Sequence, residues 1–136
     1  MNNRYRHICR GKRIDNDEWV EGYLYITHND EYEIGKYDEE INIERVTYIV
    51  IPETVGECTT LPDKNGKLMY TGDIINALFD FGMPIKSVCA FRDGSFGLLA
   101  KQHGAEHFHP FTSLCNISYE IIGNIHDNKE LFEVER

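Results

Sequence analysis

The 136-residue chain is poor in the features that announce most activities. Its four cysteines, Cys9, Cys58, Cys89 and Cys115, are scattered, and no Cys-x-x-Cys pair exists. With no secretory leader, that usage implies reduced thiols rather than a disulfide framework. The opening Met-Asn-Asn-Arg-Tyr-Arg-His lacks the apolar core of a signal peptide. No apolar run approaches the roughly 20 residues of a membrane helix. The expected compartment is therefore the cytoplasm, without membrane contact. There is no Gly-x-Ser-x-Gly elbow, phosphate loop, dinucleotide fingerprint or His-Glu-x-x-His. Internal repeats, low-complexity tracts and Gly/Ser/Pro linkers are absent as well. Basic residues are the minority, 14 against 23 acids, giving a net charge of −9. An acidic surface repels phosphate backbones, so general nucleic-acid binding is disfavoured.

What is present is enough for a packed interior: 41% of residues are hydrophobic and 27% charged, which argues against disorder. The charge is segregated. Arg4, Arg6, Arg10, Lys12 and Arg13 open the chain with no acid among them. From Asp15 to Glu44 eleven carboxylates stand against Lys36 alone. The simplest role for the basic segment is pairing with the acidic one that follows.

Strand signals dominate. Trp19, Glu21, Tyr23, Tyr25 and Thr27 alternate with Val20, Gly22, Leu24 and Ile26, a period of two. Tyr5 to Cys9 is its expected partner, reached through Gly11-Lys12 and an Asp15-Asn16-Asp17 turn. Tyr32 to Tyr37 and Glu44 to Ile51 are further strands. Val46 to Ile51 reads as buried on both faces, and Pro52 ends it. Asn65-Gly66 and Asp93-Gly94 are hairpin turns of the kind that needs residues tolerant of positive φ. Ile74 to Phe79, Ile85 to Phe91, Phe96 to Ala100 and Tyr119 to Ile125 complete the strands. Residues 101–112 read as irregular. Asp127 with Glu130 three residues on predicts a helix start and a short turn through Phe132. The expected fold is mainly β: an N-terminal β-meander over residues 1–52, then a small SH3-like, barrel-like β domain over residues 53–136 with a short C-terminal helical turn.

Candidate chemistry is sparse. His103, His107 and His109, with Cys115 beyond, are the best ligand set, since imidazole and thiolate suit zinc. His107 and His109 point the same way only in a strand, His103 and His107 only in a helix. A polar surface loop is the simpler reading, with no metal and no cofactor. Asn65, Gly66, Gly72, Asp73, Gly94, Gly123 and Asn124 read as structural turn residues, not catalytic ones. Asp73 is placed to cap backbone before a strand enters the core, and Asn124 to fix the exit from the last strand. The aromatics Trp19, Tyr23, Tyr25, Tyr32, Tyr37 and Tyr48 crowd the first half. They form either an exposed patch for a protein partner or cover for the junction between the halves.

Arg10-Gly11-Lys12-Arg13-Ile14-Asp15-Asn16-Asp17-Glu18-Trp19-Val20-Glu21-Gly22-Tyr23-Leu24 is followed in order by Thr54-Val55-Gly56 to Asp73-Ile74, by Phe91-Arg92-Asp93-Gly94-Ser95-Phe96-Gly97, and by Tyr119-Glu120-Ile121-Ile122-Gly123-Asn124-Ile125. In that combination the chain resembles the YopX proteins of bacteriophages and prophages. It departs from their pattern at Thr60 and Pro62, where glycine and lysine are more usual, at Thr71 for a common glutamate, and at His126 for a common tyrosine. Residues 100–112 match nothing in the pattern, so the histidines gain no support from it. The resemblance implies an all-β, two-part fold and a phage or prophage origin, and it brings no catalytic residues. The function expected is that of a non-enzymatic accessory protein acting through contacts with a protein partner of unknown identity, as a homo-oligomer. An acidic nucleic-acid mimic that blocks a host DNA-binding protein and a small zinc-dependent enzyme are the alternatives.

Overall fold

The computed structural model describes residues 7–37, 45–78, 82–102 and 104–133. It divides the chain into two compact units, residues 1–58 and 59–136. The described residues are mainly β: two antiparallel sheets and one short helix.

The first unit is a meander of four strands, β1 (Cys9–Lys12), β2 (Trp19–Ile26), β3 (Tyr32–Tyr37) and β4 (Arg45–Ile49), each antiparallel to the next. The start of β5 (Gly56–Pro62) adds to the free side of β1, pairing Gly56 with Arg10. Two polar turns set the register. In the first, Asp17 takes a φ of 61° and the Asn16 side chain accepts from the Glu18 N–H. In the second, Asp30 takes a φ of 63° and the Thr27 hydroxyl accepts from the Glu31 N–H. Asp and Asn tolerate the left-handed region and cap their own backbone, so these turns form where the acidic clusters lie.

After β4 the chain returns to β1: Ile51 N–H donates to the Lys12 carbonyl at 2.9 Å, and Ile14 N–H to the Ile49 carbonyl at 3.0 Å. The return encloses a core of Cys9, Val20, Ile34 and Val50. Each such aliphatic side chain contributes about 1.5–3 kcal/mol on full burial. Gly22 makes this packing possible, because a Cβ there would strike the carbonyl of Gly35.

In the second unit β6 (Leu68–Tyr70) lies beside β5. A five-stranded sheet follows from β7 (Asp73–Leu78), β8 (Ile85–Arg92), β9 (Ser95–Gln102), β10 (Ala105–Pro110) and β11 (Ser118–Asn124), in the order β10-β9-β8-β7-β11. The last described element is α1 (Lys129–Glu133). Met69, Ile75, Ala77, Cys89 and Leu98 form its buried core. Asp93 and Gly94 both have positive φ, 52° and 83°, so the β8–β9 hairpin turns on two left-handed residues, as Asp-Gly favours.

Five expectations need correction. The first strand is Cys9–Lys12 rather than Tyr5 to Cys9; Tyr5 lies outside the described residues. Gly11 and Lys12, expected as a link, are paired with Val20 and Trp19. Residues 46–51 are not buried on both faces: Val46 is 49% and Ile49 39% exposed, because β4 ends its sheet; Val50 reaches the core and Tyr48 packs partly buried against it. Residues 105–110 are strand, not loop, paired throughout with β9. Asn65 has no positive φ; Gly66 alone does, at 85°, because the loop is the longer one closed by Asp63 N–H on the Lys67 carbonyl.

Candidate contact surface

The register of the first unit sorts its side chains onto two faces. Val20, Ile34 and Val50 point into the core. The opposite face carries Lys12 opposite Trp19, Arg10 opposite Glu21, Tyr23 opposite Gly35, and Gly35 opposite Thr47. Its last row is Tyr25, Glu33 and Ile49, one from each of β2, β3 and β4. Tyr23 is 47% exposed, Tyr25 55% and Ile49 39%. Trp19, the chain's one tryptophan, is half-buried beneath two cations: Arg10 Cζ lies 4.9 Å and Lys12 Nζ 5.7 Å from its ring. Cations over an indole face are held by the ring quadrupole. The face thus has a basic, aromatic corner at Trp19 and an acidic, aromatic one at Tyr25 and Glu33. Arg13 lies outside it, with its guanidinium 4.4 Å from the Tyr48 ring and bonded twice to Asp15, at 3.0 and 2.8 Å. That bond holds Asp15 below the ordinary carboxylate range.

The turn residues do local work. Asp63 is 7% exposed. Its Oδ1 accepts from the Asn65 and Lys67 N–H groups at 2.9 and 3.0 Å, and its Oδ2 from the Ile121 N–H at 3.1 Å, tying the hairpin to β11. Burial pushes its carboxyl up, but bonds from Ile121, Lys67 and Asn65 outweigh that and hold it below the ordinary value. The sequence signalled the turn but not this long-range anchor. Gly72 takes a φ of 97°, donates to the Cys89 carbonyl and accepts from the Ile125 N–H. Next to it the buried Asp73 accepts from the Tyr70 N–H at 2.7 Å. Asn124 Oδ1 accepts from the His126 and Asp127 N–H groups, both at 2.9 Å. Asn128 returns the bond, accepting from the Asn124 N–H, and its side chain fills the space a Cβ on Gly123 would need.

The metal candidates divide. His107 and His109 lie on one face of β10, with ring centroids 6.4 Å apart. His103 lies outside the described residues. Cys115 is exposed and follows the 3-10 turn at Phe111–Ser113. Among the described residues no three His, Cys, Asp or Glu side chains are grouped to hold a metal ion. Among them, too, no helix is long and apolar enough to cross a membrane. Buried Cys9 is a poor nucleophile: burial, then the nearby Glu57 and Cys58, push its thiol up to about 11.

Two comparisons bear on identity. The family model described as YopX protein matches residues 9–133. No curated protein matches the chain.

Proposed function

The chain belongs to the YopX family, and on that premise we propose that it is a non-enzymatic accessory protein of a phage or prophage. It works through protein contacts, as a homo-oligomer, in the host cytoplasm. The contact surface is the outward face of β1–β4. One observation carries this: Tyr23, Tyr25 and Ile49 are exposed together on one regular sheet face, beside Trp19. Tyrosine and tryptophan are enriched at interfaces, where rigid rings desolvate at small entropic cost. The sequence motifs are turn chemistry, and their polar groups are engaged with the backbone rather than gathered for acid–base work.

The test is affinity capture from phage-bearing cells with tagged chain and with a Tyr23→Ala/Tyr25→Ala variant, beside light scattering of both. The expected result is a stoichiometric partner, or a discrete oligomer, that the double variant loses. Equal behaviour of the two proteins would remove this face from the function.

A further inference from the structure

We propose that the outward face of the first unit's sheet pairs with the same face of a second copy, as a two-fold symmetric, sheet-on-sheet dimer. This rests on the reading of that face as a contact surface and names its occupant. The argument is self-complementarity. In an isologous interface residue i meets residue j, and j meets i, so a face with one charged corner must carry the opposite charge at the other.

This face does. Lys12 and Arg10 stand at one end of β1 and β2, over Trp19. Glu33 stands diagonally across, on β3 between Tyr25 and Ile49. Consider an axis lying in the plane between two such faces, crossing β2 near Gly22 and perpendicular to the line from Lys12 to Glu33. It lays Lys12 of each copy on Glu33 of the other. The same operation carries the Arg10 row over Tyr23 and Tyr25 of the second copy, while the Arg10 guanidinium stays on its own Trp19 with Nε and Nη2 shielded from solvent. It carries Trp19 toward the Gly35 and Thr47 positions of the second copy. Glu21 falls near the axis, in register with Arg10 on its own sheet.

Size decides the strength. Four strands about 4.8 Å apart and seven rows at about 3.3 Å give a face of roughly 400 Å² in projection. That is well below the roughly 800 Å² per partner of a standard stable interface, so the contact belongs to the weak, transient class and is sought at micromolar concentrations and above.

The experiment is sedimentation velocity from about 1 to about 500 µM, spanning that range, on the wild type, Lys12→Glu, Glu33→Lys and an equimolar mixture of the two variants. Thermal melting of each variant confirms its fold. In Lys12→Glu both meeting positions are acidic, and in Glu33→Lys both are basic, so each self-associates at least about tenfold more weakly. In the mixture every acid meets a lysine, so a heterodimer forms at close to wild-type strength. A wild type that stays monomeric at the highest concentration overturns the dimer, and so does a mixture that fails to associate. If Tyr23→Ala/Tyr25→Ala still loses a captured partner in either case, the contact surface stands and only its occupant is wrong. If that variant changes neither capture nor association, the contact surface itself falls.

Discussion

Thr60 carries a φ of 68°, a region that a β-branched side chain enters only under strain. It is also the position where glycine is more usual in the family pattern, so a departure seen in sequence coincides with a strained backbone. Its neighbour Thr59 holds the distortion: the buried hydroxyl donates to the Met69 carbonyl at 2.9 Å and accepts from the Leu61 N–H at 3.1 Å. Replacing Thr60 with glycine should stabilise the fold by about 1 kcal/mol, read as a raised midpoint in urea. Asp63 makes the opposite case. Its folded-state carboxyl is held below the unfolded value, so the stability it supplies is present above the unfolded value and is lost as pH falls through the folded one. Asp63→Asn keeps an acceptor for the turn but turns an amide donor toward the Ile121 N–H, or the reverse. We expect a loss of about 1–3 kcal/mol at neutral pH, and a flatter acid-unfolding curve than the wild type below pH ~5. The cysteines separate by burial: Cys115 is exposed while Cys9, Cys58 and Cys89 are buried. A thiol reagent at neutral pH should titrate Cys115 in the folded protein, with the other three reacting after denaturation. Fast reaction of Cys9 in the native state would contradict its raised pKa.

Between residues and whole, the strands with clean two-residue periodicity were legible and the rest were not. Tyr32 to Tyr37 appears as β3 with the bounds its composition suggests, and Asp93-Gly94 closes the β8–β9 hairpin. β10 was missed because Ala-Glu-His-Phe-His-Pro has little β-branched content. Its conformation comes from pairing with β9, a tertiary cause that local pattern does not carry. The burial of residues 46–51 was overestimated for a related reason: an apolar run reads alike in a central strand and at the end of a sheet. The contact surface was half legible. Alternation showed that Trp19, Tyr23 and Tyr25 share a face, but only register adds Glu33 and Ile49 to it and shows that the face is exposed. That same register explains Gly22, on the other side of β2. Gly22→Ala would drive a methyl into the Gly35 carbonyl, so β2 and β3 must separate or shift. The expected cost is about 1–3 kcal/mol, measurable by denaturant unfolding. An unchanged midpoint would show that the two strands are less tightly apposed than described.

At the scale of the molecule the question is what a net charge of −9 is for. A nucleic-acid mimic needs carboxylates in a row at phosphate spacing. Among the described residues most acids of the first unit gather instead at opposite ends of β2, with Glu53 and Glu57 apart from both; Asp38, Glu39, Glu40 and Glu44 lie outside the described residues. Asp15, Asp17 and Glu18 lie in the turn before its start, and Asp30 and Glu31 in the turn after its end. Eight residues of strand separate those clusters by roughly 25 Å. Glu21 and Glu33, between them, share their face with Arg10, Lys12 and three aromatics. That distribution favours solubility and an oriented contact over imitation of a polyanion. The two readings differ in their response to salt and to DNA. Association through a mixed-charge aromatic face should weaken only a few-fold between about 50 and 300 mM salt, since the rings supply much of the attraction and one charge pair per corner is screened. Excess duplex DNA should leave it unchanged. A mimic would bind a basic host protein with a steep salt dependence and release it to DNA. Repeating the capture across that salt range, with and without duplex DNA, separates them. A partner held at high salt and insensitive to DNA supports the contact surface. One lost to both would return the acidic clusters to the centre of the function.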